Sequence, residues 1–499
     1  MKKILTIIII SFSLVLTSCT DWLDLKPYSS ESDQVAITEI KDGQIALLGV
    51  YDYLRSPSFY GREAIACGDA GTPDVVQKIP NSNRYSIVYN WQNPQPGGSY
   101  YSDIFIIAYR AIDAANKIIR NIEPIEPATD DDKQVKNQIL GETYFLRSLL
   151  HFEVMKYFAQ AYNYTANGDH LGIVYMLEPT QSDDHARLNA KESFEHIIAD
   201  AKEALTLMNV VKKEEPFTAG KAAVNALLAR VYLYKACTSS AADFDEALKY
   251  AKDVINTNEY KLATPEEYAI SGTDEFSSKM WLPAAGFSSE SIFTLPYTAT
   301  ERNYTNHISR IYLDDVRGYG DLLPSNEIVA LIASNPTDVR NTIFYNYAYT
   351  AGDVPCVRKF FGTADNWDLC NINIFRISEL YLIAAESALK CSSPDKNAAI
   401  GYINALRYNR NVSTLDSNTP NEDVLNTVML ERRKELCFEG HRLADLKRLN
   451  LGVVRGQDSN NAGNQNYGVA YPDYRFAYPI PEHEMNVNDL IDQNPGYGN

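Results

Sequence analysis

The chain has 499 residues, with 46 Lys plus Arg against 64 Asp plus Glu and a formal net charge of −18. Such an acidic surface excludes nucleic acid and anionic lipid headgroups as electrostatic partners and suits neutral ligands. A single hydrophobic core stops growing near about 250–300 residues, so two subdomains or an elongated helical body with insertions are expected.

Lys2 and Lys3 precede an apolar run, Ile4 to Leu16, which closes on Leu16-Thr17-Ser18-Cys19. A basic start, a short apolar run and small residues form a secretory leader. The run is too short for a bilayer span, which needs about 20 residues. Its end resembles a bacterial lipobox, which implies cleavage before Cys19 and a lipid on the Cys19 thiol. Residues 1–18 are therefore read as signal peptide and 19–35 as a lipid-anchored tether. Loss of Lys2 and Lys3 takes the charge from −18 to −20.

Helical periodicity dominates from there. Apolar positions recur over Ile37–Leu54, Ser102–Ile122, Lys133–Ala161, Glu192–Met208 and Ala219–Ala236, and Lys133–Ala161 is apolar enough to be buried on most faces. Residues 36–258 are read as an N-terminal helical scaffold. Within it Ala226–Tyr232 is followed by Phe244–Leu248; later, Leu380–Leu389 is followed by Asn397–Asn409. Small residues on one helix facing Ala and an aromatic on the next resemble tetratricopeptide pairs. Between the pairs, residues 259–373 are rich in Gly, Pro, Asn, Ser and Tyr, with short runs such as Ser291–Leu295. They read as a loop-rich insertion with few short strands. The fold class expected is mainly α: a scaffold of tetratricopeptide-like helical pairs with the insertion carrying the ligand surface. Residues 374–499 complete it.

Beyond Cys19 the cysteines are Cys67, Cys237, Cys356, Cys370, Cys391 and Cys437, with no CxxC pair to support a zinc site. Disulfides are open to an exported chain, Cys356 and Cys370 being nearest, though several of the six lie in apolar helical patterns that favour buried thiols. Tyrosine is abundant, 34 against 18 Phe and 4 Trp. It offers a flat apolar face with a hydroxyl, useful for polar ligands and for filling space between helices.

Glu431-Arg432-Arg433-Lys434-Glu435-Leu436-Cys437-Phe438-Glu439-Gly440-His441-Arg442-Leu443-Ala444-Asp445-Leu446-Lys447-Arg448 resembles the C-terminal signature of the SusD/RagB family, outer-membrane nutrient-binding lipoproteins of Bacteroidetes. Trp22–Pro27, Gly141–Arg147, Arg376–Glu386, Tyr478–Pro481 and Gln493–Tyr497 resemble further family motifs in the family's order. By spacing alone, Glu431, Arg432, Arg433 and Glu435 are i, i+3 and i+4 neighbours that can interlock as ion pairs. Glu439, His441 and Asp445 lack a second histidine at ligand spacing, so no metal or cofactor is expected.

The resemblance implies a cell-surface lipoprotein at the outer membrane. It captures glycan, or peptide in the RagB branch, and delivers it to a TonB-dependent transporter of the SusC type. Asp21 and Asp24 resemble a surface-export signal. A glycan-processing enzyme with paired carboxylates is the opposing class, but no nucleophile elbow, HExxH or phosphate loop is present; a protein-binding helical scaffold is a third. Sugars stack their C–H faces on flat rings, with amides and carboxylates at the rim. Trp91, in the polar Tyr89–Asn93 loop where the resemblance places a ligand-contacting aromatic, is the first ligand-binding residue expected. Asn93 is its hydrogen-bonding partner. Trp281, Tyr304 and Tyr319 follow in the insertion.

Overall fold

The computed structural model describes residues 37–498 apart from 78–81, 93–95, 180–183, 213, 238–239, 273–276, 314–317, 347–354, 363–365, 367 and 457–467. Cys19 and Asn93 lie outside the described residues. The chain builds a stack of antiparallel helices: α1 (Ile40–Arg55), α2 (Glu63–Ala70), α3 (Ser99–Ile122), α4 (Asp130–Phe158), α5 (Ala190–Leu207), α6 (Lys221–Ala236), α7 (Ala241–Ile255), α8 (Ile377–Lys390), α9 (Lys396–Tyr408), α10 (Asn421–Leu436) and α11 (Arg442–Arg448). Caps set several of their starts. Thr129 and Asp132 close a reciprocal capping box on α4, as do Asn189 and Glu192 on α5. α4 runs 29 residues and is buried on nearly every face from Ile139 onward, as its apolar content predicts.

Neighbours in sequence are neighbours in space. α3 packs on α4, α4 on α5, α5 on α6 and α6 on α7; α8 then packs on α7, α9 and α10. The expected helix pairs are therefore α6/α7 and α8/α9, and the stack continues across the residues between α7 and α8. Small residues permit the close approaches. A Cβ on Gly141 of α4 would lie 2.7 Å from the Met208 side chain, just beyond α5. No helix among the described residues is long and apolar enough to cross a membrane.

The residues between α7 and α8 hold short strands: β2 (Ser291–Leu295) pairs antiparallel with β6 (Ile372–Arg376), which runs directly into α8. β1 (Val75–Val76) pairs with β3 (Leu323–Pro324), and β4 (Phe344–Tyr345) with β5 (Cys356–Val357). The six cysteines after Cys19 are all buried free thiols, Cys356 and Cys370 included.

The signature segment folds as α10, a turn and α11, and its charges point inward. Expected partners along the helix are replaced by distant ones. Glu435 accepts from Arg376 at 2.5 Å and from Arg410 at 2.9 and 3.0 Å; Glu431 pairs with Arg340 at 2.6 Å and Arg407 at 2.7 Å. Arg432 reaches Asp445 at 2.8 Å, and Arg433 reaches Asp74 at 2.5 Å. Glu439 binds Arg376 and Lys359, each at 2.7–2.9 Å. The i, i+4 reading fails because the C-terminal part of this helix, from Glu431, is buried, where charges find partners from every packed element instead of along one wet face. Glu290, Asp338, Arg340, Lys359 and Arg376 come from the segment between α7 and α8, so the network joins that segment to α10. The α10–α11 turn also meets α2: a Cβ on Gly68 would sit 2.5 Å from the Gly440 carbonyl, and Asp69 accepts from the Gly440 N–H at 3.0 Å.

Candidate functional site

The two tryptophans expected as platforms are interior. Trp91 is 5% exposed, its indole N–H donates to the Gly71 carbonyl at 2.8 Å, and its ring lies 4.5 Å from Phe476. The space beside it is about 10 Å³, room for about one water and no sugar ring. Trp281 is 6% exposed, meets Tyr268 edge-on at 5.4 Å, and has Lys359 at 5.0 Å over its ring. Burial removes the open face that a stacking platform needs. Both residues pack the core.

Tyr304 and Tyr319 do lie toward solvent. Tyr304 is 56% exposed and starts the turn Tyr304–Asn306; Arg302 lies 4.5 Å from its ring and is itself held by Asp368 at 2.5 and 2.9 Å. Tyr319 is half-buried. The guanidinium of Arg84 stacks 3.9 Å from the centre of its ring and donates to the buried Asp321 at 3.1 Å. Arg310 approaches the same ring at 5.7 Å.

A chain of contacts connects these tyrosines through residues that sequence reasoning missed. Asn306, in the Tyr304 turn, accepts from Arg62 at 3.0 Å. Arg62 pairs with the buried Glu63 at 2.7 Å, and the Tyr85 hydroxyl donates to the same carboxylate at 2.8 Å. Burial raises the Glu63 carboxyl, and Arg62 and Tyr85 oppose that shift. The Tyr85 ring lies 4.6 Å from that of half-buried Tyr100, in the first turn of α3. Burial, then the charge of Glu63, raises the Tyr100 hydroxyl, while Arg84 pulls the other way. Tyr100 therefore stays a neutral hydroxyl at pH 7, between Glu63 and the Arg84–Tyr319 stack.

The arrangement carries three partly open rings, guanidiniums stacked on two of them, and an exposed amide. Its carboxylates, Glu63, Asp321 and Asp368, are buried against arginines and hold them in place. Asn83, Tyr85 and Tyr304 have φ of 61°, 59° and 47°. The one sequence signal for Tyr100 was its place after Gly97-Gly98, at the end of the same loop as Trp91. Among the described residues no cluster of His, Cys, Asp and Glu could hold a metal ion.

Known proteins share this fold. A model described as the SusD family matches residues 333–497, and one described as starch-binding, associating with outer membrane, matches residues 21–233. The SusD-like protein P2 of Formosa agariphila is 26% identical, with 100% of each chain covered. The starch-binding protein SusD of Bacteroides thetaiotaomicron is 28% identical over 127 residues, 26% of this chain and 22% of its own. A SusD superfamily crystal structure from Bacteroides thetaiotaomicron superposes with a TM-score of 0.80 at 27% identity, covering 92% of this chain and 100% of that one. The protein is a mainly helical protein of tetratricopeptide-like helix pairs. It belongs to the SusD/RagB family.

Proposed function

We propose that this protein is a glycan-binding lipoprotein of the outer-membrane surface, anchored through lipidated Cys19, that captures oligosaccharide and passes it to a SusC-type TonB-dependent transporter. The observation that carries the binding step is the Arg84–Tyr319 stack continued through Tyr100 and Asn306 to the exposed Tyr304. Flat rings match the C–H faces of pyranoses, and guanidinium, phenol and amide groups match their hydroxyls. The local carboxylates are each engaged by an arginine, an arrangement suited to holding a ligand rather than to acid–base chemistry. The starch-binding description of the family model over residues 21–233, and the starch-binding relative, point to the same ligand class.

The test is titration calorimetry of the soluble body against a panel of neutral polysaccharides and peptides, with an assay for new reducing ends run alongside. Saturable heat with a glycan and no new reducing ends is expected. Turnover would make the protein an enzyme, and heat with peptides alone would make it a peptide carrier.

A further inference from the structure

α1 exposes an apolar stripe that nothing in the described chain covers. Ile45 is 70% exposed and Leu48 is 60% exposed, one turn apart. Gly49 beside them has nothing within 4 Å of a Cβ built on it. An open cleft lies on each side of the helix. The first, about 320 Å³, runs between α1 and α3 and is lined by Ile37, Ile45, Ala46, Ala114 and Ile118. The second, about 520 Å³, runs between α1 and α4, where Leu47, Leu48, Val135, Ile139 and Val210 share the lining with polar residues such as Gln44, Gln138 and Glu142. An exposed apolar ridge between two partly apolar furrows is a surface that favours a cover.

The geometry points to the protein's own anchor segment as that cover: we infer that Trp22, Leu23 and Leu25 of the tether dock along α1. The described residues begin at the surface in question, because Ile37 itself lines the smaller cleft. Residues 26–36 reach at most about 40 Å when extended. Leu48, eleven residues beyond Ile37 and mostly along a helix, is only about 16–20 Å away. The tether is otherwise polar and Ser/Asp-rich, yet concentrates three large apolar side chains at Trp22, Leu23 and Leu25. An X-Pro sequence such as Lys26-Pro27 favours extended backbone before the proline, the form that lies along a groove. A lipid surface fits less well. The exposed Glu39 begins this helix and the mature chain carries a charge of −20, both unfavourable beside anionic headgroups.

Docking at Trp22 would leave only residues 19–21 between the body and the lipid, about 10 Å of chain. The α1 face would then be held toward the membrane, and the anchor would set the orientation of the body as well as its location.

The experiment compares two soluble chains that begin at residue 19, both carrying Cys19→Ser. One also carries Trp22→Ser, Leu23→Ser and Leu25→Ser. Hydrogen exchange is read at the amides of residues 44–49 and 114–118. The parent is expected to exchange roughly fivefold more slowly there, as a segment held by a few buried apolar groups would make it. In a parallel chain, Leu25→Cys is expected to cross-link to Leu48→Cys on oxidation and not to Tyr408→Cys, an equally exposed position on α9. Equal exchange in the two chains, or equal cross-linking to both sites, would overturn the inference. Protection that appears only when phosphatidylglycerol vesicles are added would overturn it in favour of lipid.

Discussion

Glu435→Gln removes one negative charge from the centre of a buried network while keeping the shape of the side chain. Five cations, Arg340, Lys359, Arg376, Arg407 and Arg410, face five carboxylates, Glu290, Asp338, Glu431, Glu435 and Glu439. Burial pushes the Glu435 carboxyl up, but Arg410 and Arg376 outweigh it and hold the group well below the usual carboxylate range. It is fully ionised, and its loss leaves Arg376 and Arg410 sharing fewer counter-charges at 2% exposure or less. Breaking a buried pair by removing one partner costs about 3–5 kcal/mol. At about 2.1 cal/mol/K per residue, the mature chain gains roughly 1 kcal/mol/K of entropy on unfolding, so Tm should fall by about 3–5 °C. Scanning calorimetry of the Cys19→Ser chain reads this directly. A fall of less than about 1 °C would refute the reasoning, since it would mean that water or a neighbouring group supplies the missing charge. Arg410→Met should cost a comparable amount, because it strands Glu435 and Glu290 instead.

Further expectations follow from other buried groups. Burial, with Lys156 nearby, lowers the Lys447 ammonium to about 7, while its Nζ donates to the carbonyls of Lys156 and Ala159 at the end of α4. The unfolded chain then binds more protons between pH 7 and about 10.5, so stability should rise with pH across that window, by up to about 2 kcal/mol from pH 7 to 9. Lys447→Met should flatten that part of the Tm–pH profile; an unchanged slope would assign it elsewhere. Trp91→Ala should lower stability by about 3–5 kcal/mol by opening a cavity beside Phe476 and Leu443, yet leave glycan affinity unchanged in the folded fraction. Weakened glycan binding in that variant at a temperature where it is fully folded would return Trp91 to the site. Cys19→Ala should move the protein from the membrane pellet to the soluble fraction, and continued pelleting would remove the lipid anchor.

The helices were legible because apolar positions recur at helical spacing, as over Lys133–Ala161 and Glu192–Met208; the caps Thr129 and Asn189 set the true starts a few residues earlier than that spacing shows. The partners of the signature charges were not. Glu431 and Glu435 look like a wet helical face by spacing, and only the packing of Arg340, Arg376 and Arg410 around α10 turns them inward. The aromatic site was half legible. Tyr304 and Tyr319 lie in a polar, loop-rich segment, where Tyr304 stays exposed and Tyr319 half-buried. Trp91 and Trp281 lie in equally polar sequence, but their loops fold back onto Phe476 and Tyr268, an outcome that composition does not encode. Tyr100 was hidden for the opposite reason: it begins a helix, so its apolar ring reads as core until Tyr85, Glu63 and Arg84 are seen around it. Arg84 itself is one of 46 basic residues, and only the ring of Tyr319 beneath it marks it out.

The most direct test of the central claim is calorimetry of Tyr319→Ala with whichever glycan the panel identifies. Losing one stacking ring should weaken binding by about 1–3 kcal/mol, by analogy with bases stacked on aromatics, read at a temperature where the variant is fully folded. Arg84→Ala should weaken the same binding, since the guanidinium that lies on the ring is lost. A folded Tyr319→Ala protein that binds the glycan with undiminished affinity would contradict the account and move the ligand away from this surface.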